Sequence, residues 1–103
     1  MEKYKIIYKK RFQKKFLQLI EYLSREWSLK VTDDFIATFQ TKINQLNSNP
    51  NIGKVSTVLN VRTLLITKHN RLYYRVKQNT IEVINRYYTR ANYKNSPYKK
   101  QQI

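Results

Sequence analysis

The sequence predicts an α+β fold in which a two-helix hairpin covers one face of an antiparallel sheet. A short run of aromatic and β-branched residues, 4–8, opens the chain as a strand. Two stretches follow in which apolar residues recur at three- and four-residue steps, as in amphipathic helices. Three strand-like runs separated by short turns then form an antiparallel meander. The helices must bury their apolar stripes on one side of the sheet, and the other side stays partly open.

Each element has its own signal. The first helix is predicted from about Lys9 to Trp27, and the second from Ser28, a favourable N-cap residue, to about Leu46. A turn containing Gly53, the one glycine of the chain, ends the helical part. Strands follow at Val61–Lys68, Arg71–Lys77 and Thr80–Tyr88, with turns at His69-Asn70 and Gln78-Asn79. We expect residues 1–90 to form one domain and residues 91–103 to form a basic C-terminal tail that is flexible in isolation.

The last hairpin predicts which side chains share a face. Counting back from Gln78-Asn79 pairs Arg75 with Glu82 and, further along, Arg71 with Arg86. Alternation then places two sets of residues on opposite sides: Leu72, Tyr74, Val76, Ile81 and Val83 under the helices, and Arg71, Tyr73, Arg75, Glu82, Ile84, Arg86 and Tyr88 on the open side.

The predicted opposition of Arg71 and Arg86 suggests an anion site. Like charges directly across a ladder are destabilising. A phosphate or carboxylate held between the two guanidiniums would relieve that repulsion. The alternative is that both side chains splay into solvent at the strand ends.

The charge of the chain predicts a polyanionic partner. The 103 residues carry a formal net charge of +15, and the stretch from Arg62 to Ile103 holds ten Lys and Arg but one acid, Glu82. Without cysteine and with a single histidine, the chain has neither a thiolate nor a histidine-cluster metal site, and we predict no metal or cofactor. No apolar run approaches the roughly 20 residues of a membrane-spanning helix. We therefore expect a cytoplasmic protein with no membrane partner.

Several short motifs occur in an order typical of one protein family. They are Asn49-Pro50-Asn51-Ile52-Gly53, Val61-Arg62-Thr63-Leu64, His69-Asn70-Arg71-Leu72-Tyr73-Tyr74-Arg75-Val76 and Thr89-Arg90. With the preceding strand and helical hairpin, this set resembles the RelE/ParE superfamily of toxins from type II toxin–antitoxin systems. The resemblance implies a compact α+β fold, a basic concave face and a cognate antitoxin that wraps it.

The resemblance also implies candidate catalytic residues. RelE-like members cut messenger RNA on the ribosome with a few basic residues and a C-terminal tyrosine, whose positions fall on Arg62, Arg71, Arg90 and Tyr98. One further basic position falls on Leu64, which cannot serve. ParE-like members instead inhibit DNA gyrase without doing chemistry.

Further residues are candidates for nucleic-acid or anion binding. His69 has a side chain that titrates near neutral pH, and exposed tyrosines can stack on bases, although turn capping for the histidine and core packing for the tyrosines are alternatives. This group comprises Lys68, His69, Tyr73, Arg86, Tyr88 and Tyr93. A lysine-rich start to the first helix is either a solvated face or a surface that positions a phosphate backbone: Lys9, Lys10, Arg11, Lys14 and Lys15.

From these observations we predict a toxin that inhibits translation by ribosome-dependent cleavage of messenger RNA, with the ribosome, messenger RNA and an antitoxin as partners. The first alternative is a ParE-like, non-enzymatic inhibitor of DNA gyrase, which the leucine at position 64 favours. The second alternative is a degenerate, non-toxic member that only binds nucleic acid.

Overall fold

A computed structural model of the chain describes residues 4–88. The predicted α+β class is confirmed: two helices pack on a five-stranded sheet. The elements in chain order are β1 Lys5–Tyr8, α1 Lys10–Glu26, α2 Leu29–Ser48, β2 Lys54–Val55, β3 Arg62–Thr67, β4 Asn70–Lys77 and β5 Thr80–Tyr88.

The sheet has the strand order β1-β5-β4-β3-β2. The meander of β3, β4 and β5 is antiparallel, as predicted. The first strand crosses over through the helical hairpin and pairs in parallel with β5, from Lys5 opposite Thr80 to Tyr8 opposite Val83. Strand β2, only two residues long, was not predicted, and it pairs with Thr63 and Arg62 at the far edge. Strands β1 and β5 are therefore neighbours in the sheet, although they are far apart in the sequence.

The helical hairpin begins its second helix where the sequence predicts. The Ser28 side chain accepts a hydrogen bond of 3.1 Å from the backbone N–H of Val31, which satisfies one of the free donors at the start of α2. Helix α1 has no such side-chain cap at Lys9. Its stability therefore comes from packing of its apolar face.

The core lies between the hairpin and one face of the sheet. The four side chains Leu72, Tyr74, Ile81 and Val83 are fully enclosed there, as the predicted alternation requires. Aromatic rings from β1, α1 and α2 stack beside them, at centroid distances from 4.7 to 6.3 Å: Tyr8, Phe12, Phe16 and Phe39. Burial of these rings supplies a large part of the folding free energy.

The hairpin register departs from the prediction in its second half. The pairs from Lys77–Thr80 to Tyr74–Val83 are as predicted, but a β-bulge then leaves Ile84 as an extra residue in β5. Tyr73 pairs with Asn85, and Arg71 pairs with Tyr87. The prediction that Arg71 faces Arg86 is wrong, because one inserted residue exchanges the two faces of a strand beyond it.

The first hairpin turn also lies one residue earlier than predicted. Thr67 pairs with Asn70, so the two turn residues are Lys68 and His69, and Asn70 is the first residue of β4. The Asn70 amide donates a 2.9 Å hydrogen bond to the Thr67 hydroxyl. This side-chain bond closes the turn.

Within residues 4–88, no helix is long and apolar enough to cross a membrane. The same part of the chain brings together no group of three His, Asp or Glu side chains that could hold a metal ion.

Candidate functional site

The open face of the sheet carries two of the predicted cationic residues, Arg71 and Arg75. Arg71 lies on β4 and donates from Nη1 to the Thr63 hydroxyl on β3 at 3.0 Å. Arg75 forms the predicted cross-strand ion pair, with 2.8 Å between its Nε and Oε1 of Glu82. The hydrogen bond from Arg75 lowers the pKa of Glu82, so this carboxylate stays ionised at neutral pH. Arg75 is thereby paired with a carboxylate, and Arg71 is anchored to β3 through the Thr63 hydroxyl.

The bulge places Arg86 on the other side of the sheet. Arg86 pairs with Leu72, which faces the helices, and its Nη1 donates to the side-chain oxygen of Asn70. Burial lowers the pKa of Arg86, although a guanidinium stays charged in proteins. Arg71 and Arg86 therefore lie on opposite faces of the sheet. The predicted site, with an anion held between their two guanidiniums, is not formed.

Arg62 is part of a structural link between the α2–β2 turn and the sheet. Its Nη1 donates to the carbonyl of Gly53 at 2.8 Å. The Tyr74 hydroxyl donates to the carbonyl of Pro50 at 2.6 Å and accepts from the backbone N–H of Gly53 at 3.0 Å. Burial raises the pKa of Tyr74, which keeps its hydroxyl protonated as a donor. Arg62 and Tyr74 together hold the turn that contains Pro50 and Gly53 against the sheet.

Position 64, where the resemblance implies a basic residue, also lies on the helix side. Leu64 pairs with Leu72 and packs against the core. A charged side chain here would be directed towards apolar groups, which is costly. The leucine at this position is explained by packing.

Stacking on a base requires an exposed ring, and Tyr73, one of the tyrosines predicted to stack, does not have one. Tyr73 is fully buried and makes an edge-to-face contact with Tyr87, at 5.6 Å between ring centroids. Tyr87, which the sequence analysis did not single out, also lies under the ammonium group of Lys15, 4.0 Å from the ring centroid. Of these two rings, Tyr87 is the one with exposed surface.

The remaining candidates occupy the surface of the molecule. Lys68 is exposed in the β3–β4 turn, and His69 is half-buried beside it. In and before α1, four of the five predicted backbone-positioning residues are exposed, and the fifth, Lys15, is half-buried: Lys9, Lys10, Arg11 and Lys14 form the exposed set. Their role in binding a phosphate backbone stays a prediction.

Three of the sequence candidates lie outside the described residues: Arg90, Tyr93 and Tyr98. Tyr88 pairs with Asn70 through its backbone, but its side chain is likewise outside the description. The C-terminal tail predicted for residues 91–103 also lies outside the described residues.

Sequence reasoning missed the neutral residues that hold these cations. Thr63 and Asn70, which bind Arg71 and Arg86, are both buried polar side chains. Their types and spacing are ordinary for strands, so only the register shows that they meet arginines. Asn70 was predicted as a turn residue and Thr63 pairs with Tyr73 of the open side, so no signal in the sequence indicated that either would be buried.

Comparison with known proteins gives the family. A family model described as the ParE toxin of the type II toxin–antitoxin system parDE matches residues 6–87. The chain belongs to this family. The match covers β1 through β5, and membership implies a cognate antitoxin. No curated protein sequence matches the toxin.

Solved structures of toxins share the fold of this ParE-family chain. A chromosomal ParDE system from P. aeruginosa aligns with a TM-score of 0.71 at 15% identity, covering 82% of this chain and 95% of that one. A YoeB/ParE toxin from Agrobacterium tumefaciens aligns at 0.57 and 17% identity, covering 82% and 96%. A YoeB dimer from Staphylococcus aureus aligns at 0.58 and 12% identity, covering 84% and 98%. At these identities the likeness extends to the fold alone.

Proposed function

We propose that this toxin acts as a ParE-like inhibitor of DNA gyrase, by binding and without cleaving RNA. The observation that carries the proposal is the dispersal of the basic residues that RNA cleavage would need. Arg62 binds the turn carbonyls on the side of Tyr74, and position 64 is an apolar leucine. Of the implied catalytic residues that lie within residues 4–88, Arg71 alone is on the open face. The sequence alone favoured the opposite order, with RNA cleavage first and gyrase inhibition as the alternative.

A single cation is a poor catalyst for phosphodiester cleavage. The reaction needs a base for the 2′-hydroxyl, charge stabilisation at the phosphorane and help for the leaving oxygen, and an arginine supplies only the second. A binding surface has no such requirement, since dispersed positive charge is enough to attract and orient an anionic or acidic partner. The target would be intracellular, so the proposal includes a cytoplasmic location.

The test separates the two activities in cells. We would induce the toxin alone and measure plasmid supercoiling together with the 5′ ends of an abundant translated message. We expect loss of negative supercoiling while the message stays intact, and inhibition of supercoiling by purified gyrase in the presence of the purified toxin. New 5′ ends inside codons, absent when translation is blocked, would overturn the proposal.

Ribosome-dependent RNA cleavage is the second candidate, and one observation favours it. Arg71 stands at a family basic position and is held on the open face by Thr63, where a phosphorane could approach it. This candidate needs Arg90 and Tyr98 to join it, and substituting Arg71 and Arg90 by alanine tests it. Growth arrest that persists in the folded double variant would exclude cleavage by these residues. Vigorous growth on overexpression of the unaltered chain would instead support a non-toxic member.

We further propose that the cognate antitoxin covers the basic surface with an acidic segment that folds on binding. The net charge of +15 supports this, because a complementary charge would reduce the repulsion within the toxin. The affinity should fall as salt rises, and we would measure the dissociation constant at several sodium chloride concentrations. An affinity independent of salt would contradict the proposal.

A further inference from the structure

A groove separates the helical hairpin from the end of the sheet at the β3–β4 turn. Its volume is about 810 Å³, and both helices, the turn and β5 contribute to its walls. Most of the side chains from the helices are apolar or aromatic: Leu19, Tyr22, Leu23, Trp27, Val31 and Phe35. Pockets for small organic ligands have volumes of roughly 300–1,000 Å³, mostly apolar walls and a few convergent polar groups. The groove has the size and lining of such a pocket.

One end of this groove contains the guanidinium of Arg86. Its Nη1 is held by Asn70, while its Nε is enclosed and has no hydrogen-bond partner among the described residues. Arg86 takes part in none of the three ion pairs within residues 4–88. An enclosed donor without a partner is costly, and more so when it is charged.

Lys15 brings a second positive charge to the same end. Its ammonium group lies 4.0 Å from the centroid of the Tyr87 ring, which fixes its position. Burial and repulsion from Arg86 both lower the pKa of Lys15. The acid that lines the groove, Asp34, has an exposed carboxylate paired with Lys30 at 3.3 Å. The two cations of the groove are therefore positioned without an acid between them.

The β-bulge at Ile84 is the reason that Arg86 lies in the groove. A regular strand would place Arg86 on the open face with Arg71, but the extra residue turns it towards the helices. Bulges commonly redirect a side chain beside a functional site. The inward arginine satisfies the buried oxygen of Asn70, and its positive charge faces the groove, where an anionic ligand could approach it.

We propose that the groove binds a free amphiphilic carboxylate, an organic acid with an apolar tail. Its carboxylate lies between the Arg86 guanidinium and the Lys15 ammonium, and its tail lies along the apolar walls towards Trp27. A guanidinium matches the two oxygens of a carboxylate, and the remaining Nη hydrogens of Arg86 and the Lys15 ammonium would donate to this ion. The inference does not depend on whether the toxin acts on gyrase or on the ribosome.

The experiment uses Trp27, the one tryptophan of the chain, as a reporter inside the groove. We would titrate the full chain with octanoate and follow tryptophan fluorescence, with acetate and 1-octanol as ligands that lack the tail or the charge. Octanoate should give a saturable blue shift, because its tail would replace water at an indole that is 65% exposed. Acetate should give none, and 1-octanol should bind at least tenfold more weakly. Equal binding of octanoate and 1-octanol would overturn the proposal.

Variants assign the effect to the two cations. Lys15→Gln and Arg86→Gln should each weaken octanoate binding by about tenfold or more, since a charged hydrogen bond contributes about 1.5–3 kcal/mol. Lys54→Gln, on exposed β2 at the far edge of the sheet, removes an equal charge and should bind like the unaltered chain. Lys15 is half-buried on a helix surface, so its variant keeps the test valid if Arg86→Gln does not fold.

Two results would reject the assignment. Folded Lys15→Gln that binds octanoate like the unaltered chain would remove the cation site. A leucine- and glutamate-containing helical peptide that shifts Trp27 where octanoate does not would show that the groove takes a partner's acidic side chain and not a free acid.

Discussion

Gly53 lies where the surrounding atoms leave no room for a side chain. A Cβ built at this position would lie 2.6 Å from the carbonyl oxygen of Thr63 and 2.6 Å from the hydroxyl of Tyr74. Gly53 has no positive φ, so the close approach of these two oxygens, and not backbone conformation, requires glycine. Glycine at position 53 therefore lets the turn approach the sheet.

Substitution of Gly53 by alanine should destabilise the fold. The new methyl group cannot move away from a backbone carbonyl, and we expect a loss of about 2–3 kcal/mol from overpacking and a distorted Tyr74 hydrogen bond. Urea denaturation of Gly53→Ala would measure the free energy of unfolding. Lys54→Ala, at the exposed neighbouring position, is the control and should change it by less than about 0.5 kcal/mol. Equal stability of the two variants would contradict this account of the turn.

The Arg75–Glu82 pair should make stability depend on acid pH. The pKa of Glu82 is lower in the folded state, so the pair's contribution is present above the ordinary carboxyl pKa, about 4.5. It is lost as the pH falls through the lower, folded pKa. Because Arg75 is partly exposed, we expect a contribution of at most about 1 kcal/mol at pH 7.

Glu82→Gln measures this contribution. The variant should be less stable than the unaltered chain at pH 7, and the difference should shrink as the pH is lowered below about 4 in urea titrations. Glu26→Gln removes an exposed carboxylate that pairs with Arg25 and is the matched control, with a much smaller effect. A difference that grows towards low pH would have the wrong sign for this pair.

At the scale of elements, the two helices begin in different ways. Helix α2 has a side-chain cap at Ser28, whereas α1 begins at Lys9 and Lys10 without one and has no acid in its first turn. Positive charge at a helix N-terminus opposes the macrodipole. Packing of the Phe12 and Phe16 rings against α2 and β1 compensates for this start.

Removing the cap of α2 should weaken the hairpin. Ser28→Ala deletes the acceptor for the Val31 N–H and should lower the free energy of unfolding by about 1 kcal/mol. Ser28→Asp retains an acceptor and should restore most of that stability. Ser48→Ala, at the other end of the same helix, is the control for loss of a hydroxyl group. Thermal denaturation followed by circular dichroism compares all three, and an unchanged Ser28→Ala would show that the cap contributes nothing.

The bulge in β5 controls which surface receives each cation. Before Ile84 the strand follows the alternation read from the sequence, and after it Arg86 and Tyr87 exchange sides. A single inserted residue therefore divides the positive charge between the open face, with Arg71, and the groove, with Arg86. An element-level irregularity thus sets the chemistry of two surfaces.

At the scale of the molecule, the excess positive charge is the dominant electrostatic property. Three ion pairs form within residues 4–88, and the full sequence has 21 Lys and Arg against six Asp and Glu, so the positive charges far outnumber the acids that could neutralise them. Self-repulsion of this size destabilises the folded state and favours an anionic partner. The free energy gained by burying the core offsets this repulsion within the folded toxin.

Salt should stabilise the isolated protein. Raising sodium chloride from about 20 mM to 200 mM shortens the screening length below the spacing of many surface charges, so the melting temperature should rise. The measurement is a thermal scan at each concentration, with potassium chloride as a control that should give the same curve. A melting temperature that falls with salt would mean that attractive pairs outweigh the repulsion.

The amount that could be predicted differs between the fold and the site. Both helices, the meander and the residues enclosed between them were predicted because periodicity and turn residues are local signals. The partner of β1 could not be predicted, since parallel pairing of Lys5 with Thr80 joins residues far apart in the chain. The positions of the candidate site residues were predicted less well than the fold. Ile84 is an ordinary residue type for a strand, and its bulge is visible only in the pairing of β5 with Tyr73 and Tyr74.

The sequence by itself determined the class of fold, the basic character, the family motifs and the Arg75–Glu82 pair, all of which depend on composition or on neighbours across a short turn. Only the tertiary structure decided that Arg62 fastens the Gly53 turn, that Tyr73 is enclosed, and that Arg86 lies in a groove with Lys15. The reason is geometric: which side of a sheet a residue occupies depends on every irregularity between it and the turn. A one-residue shift leaves the hydrophobic pattern readable but moves a charge from one surface to the other.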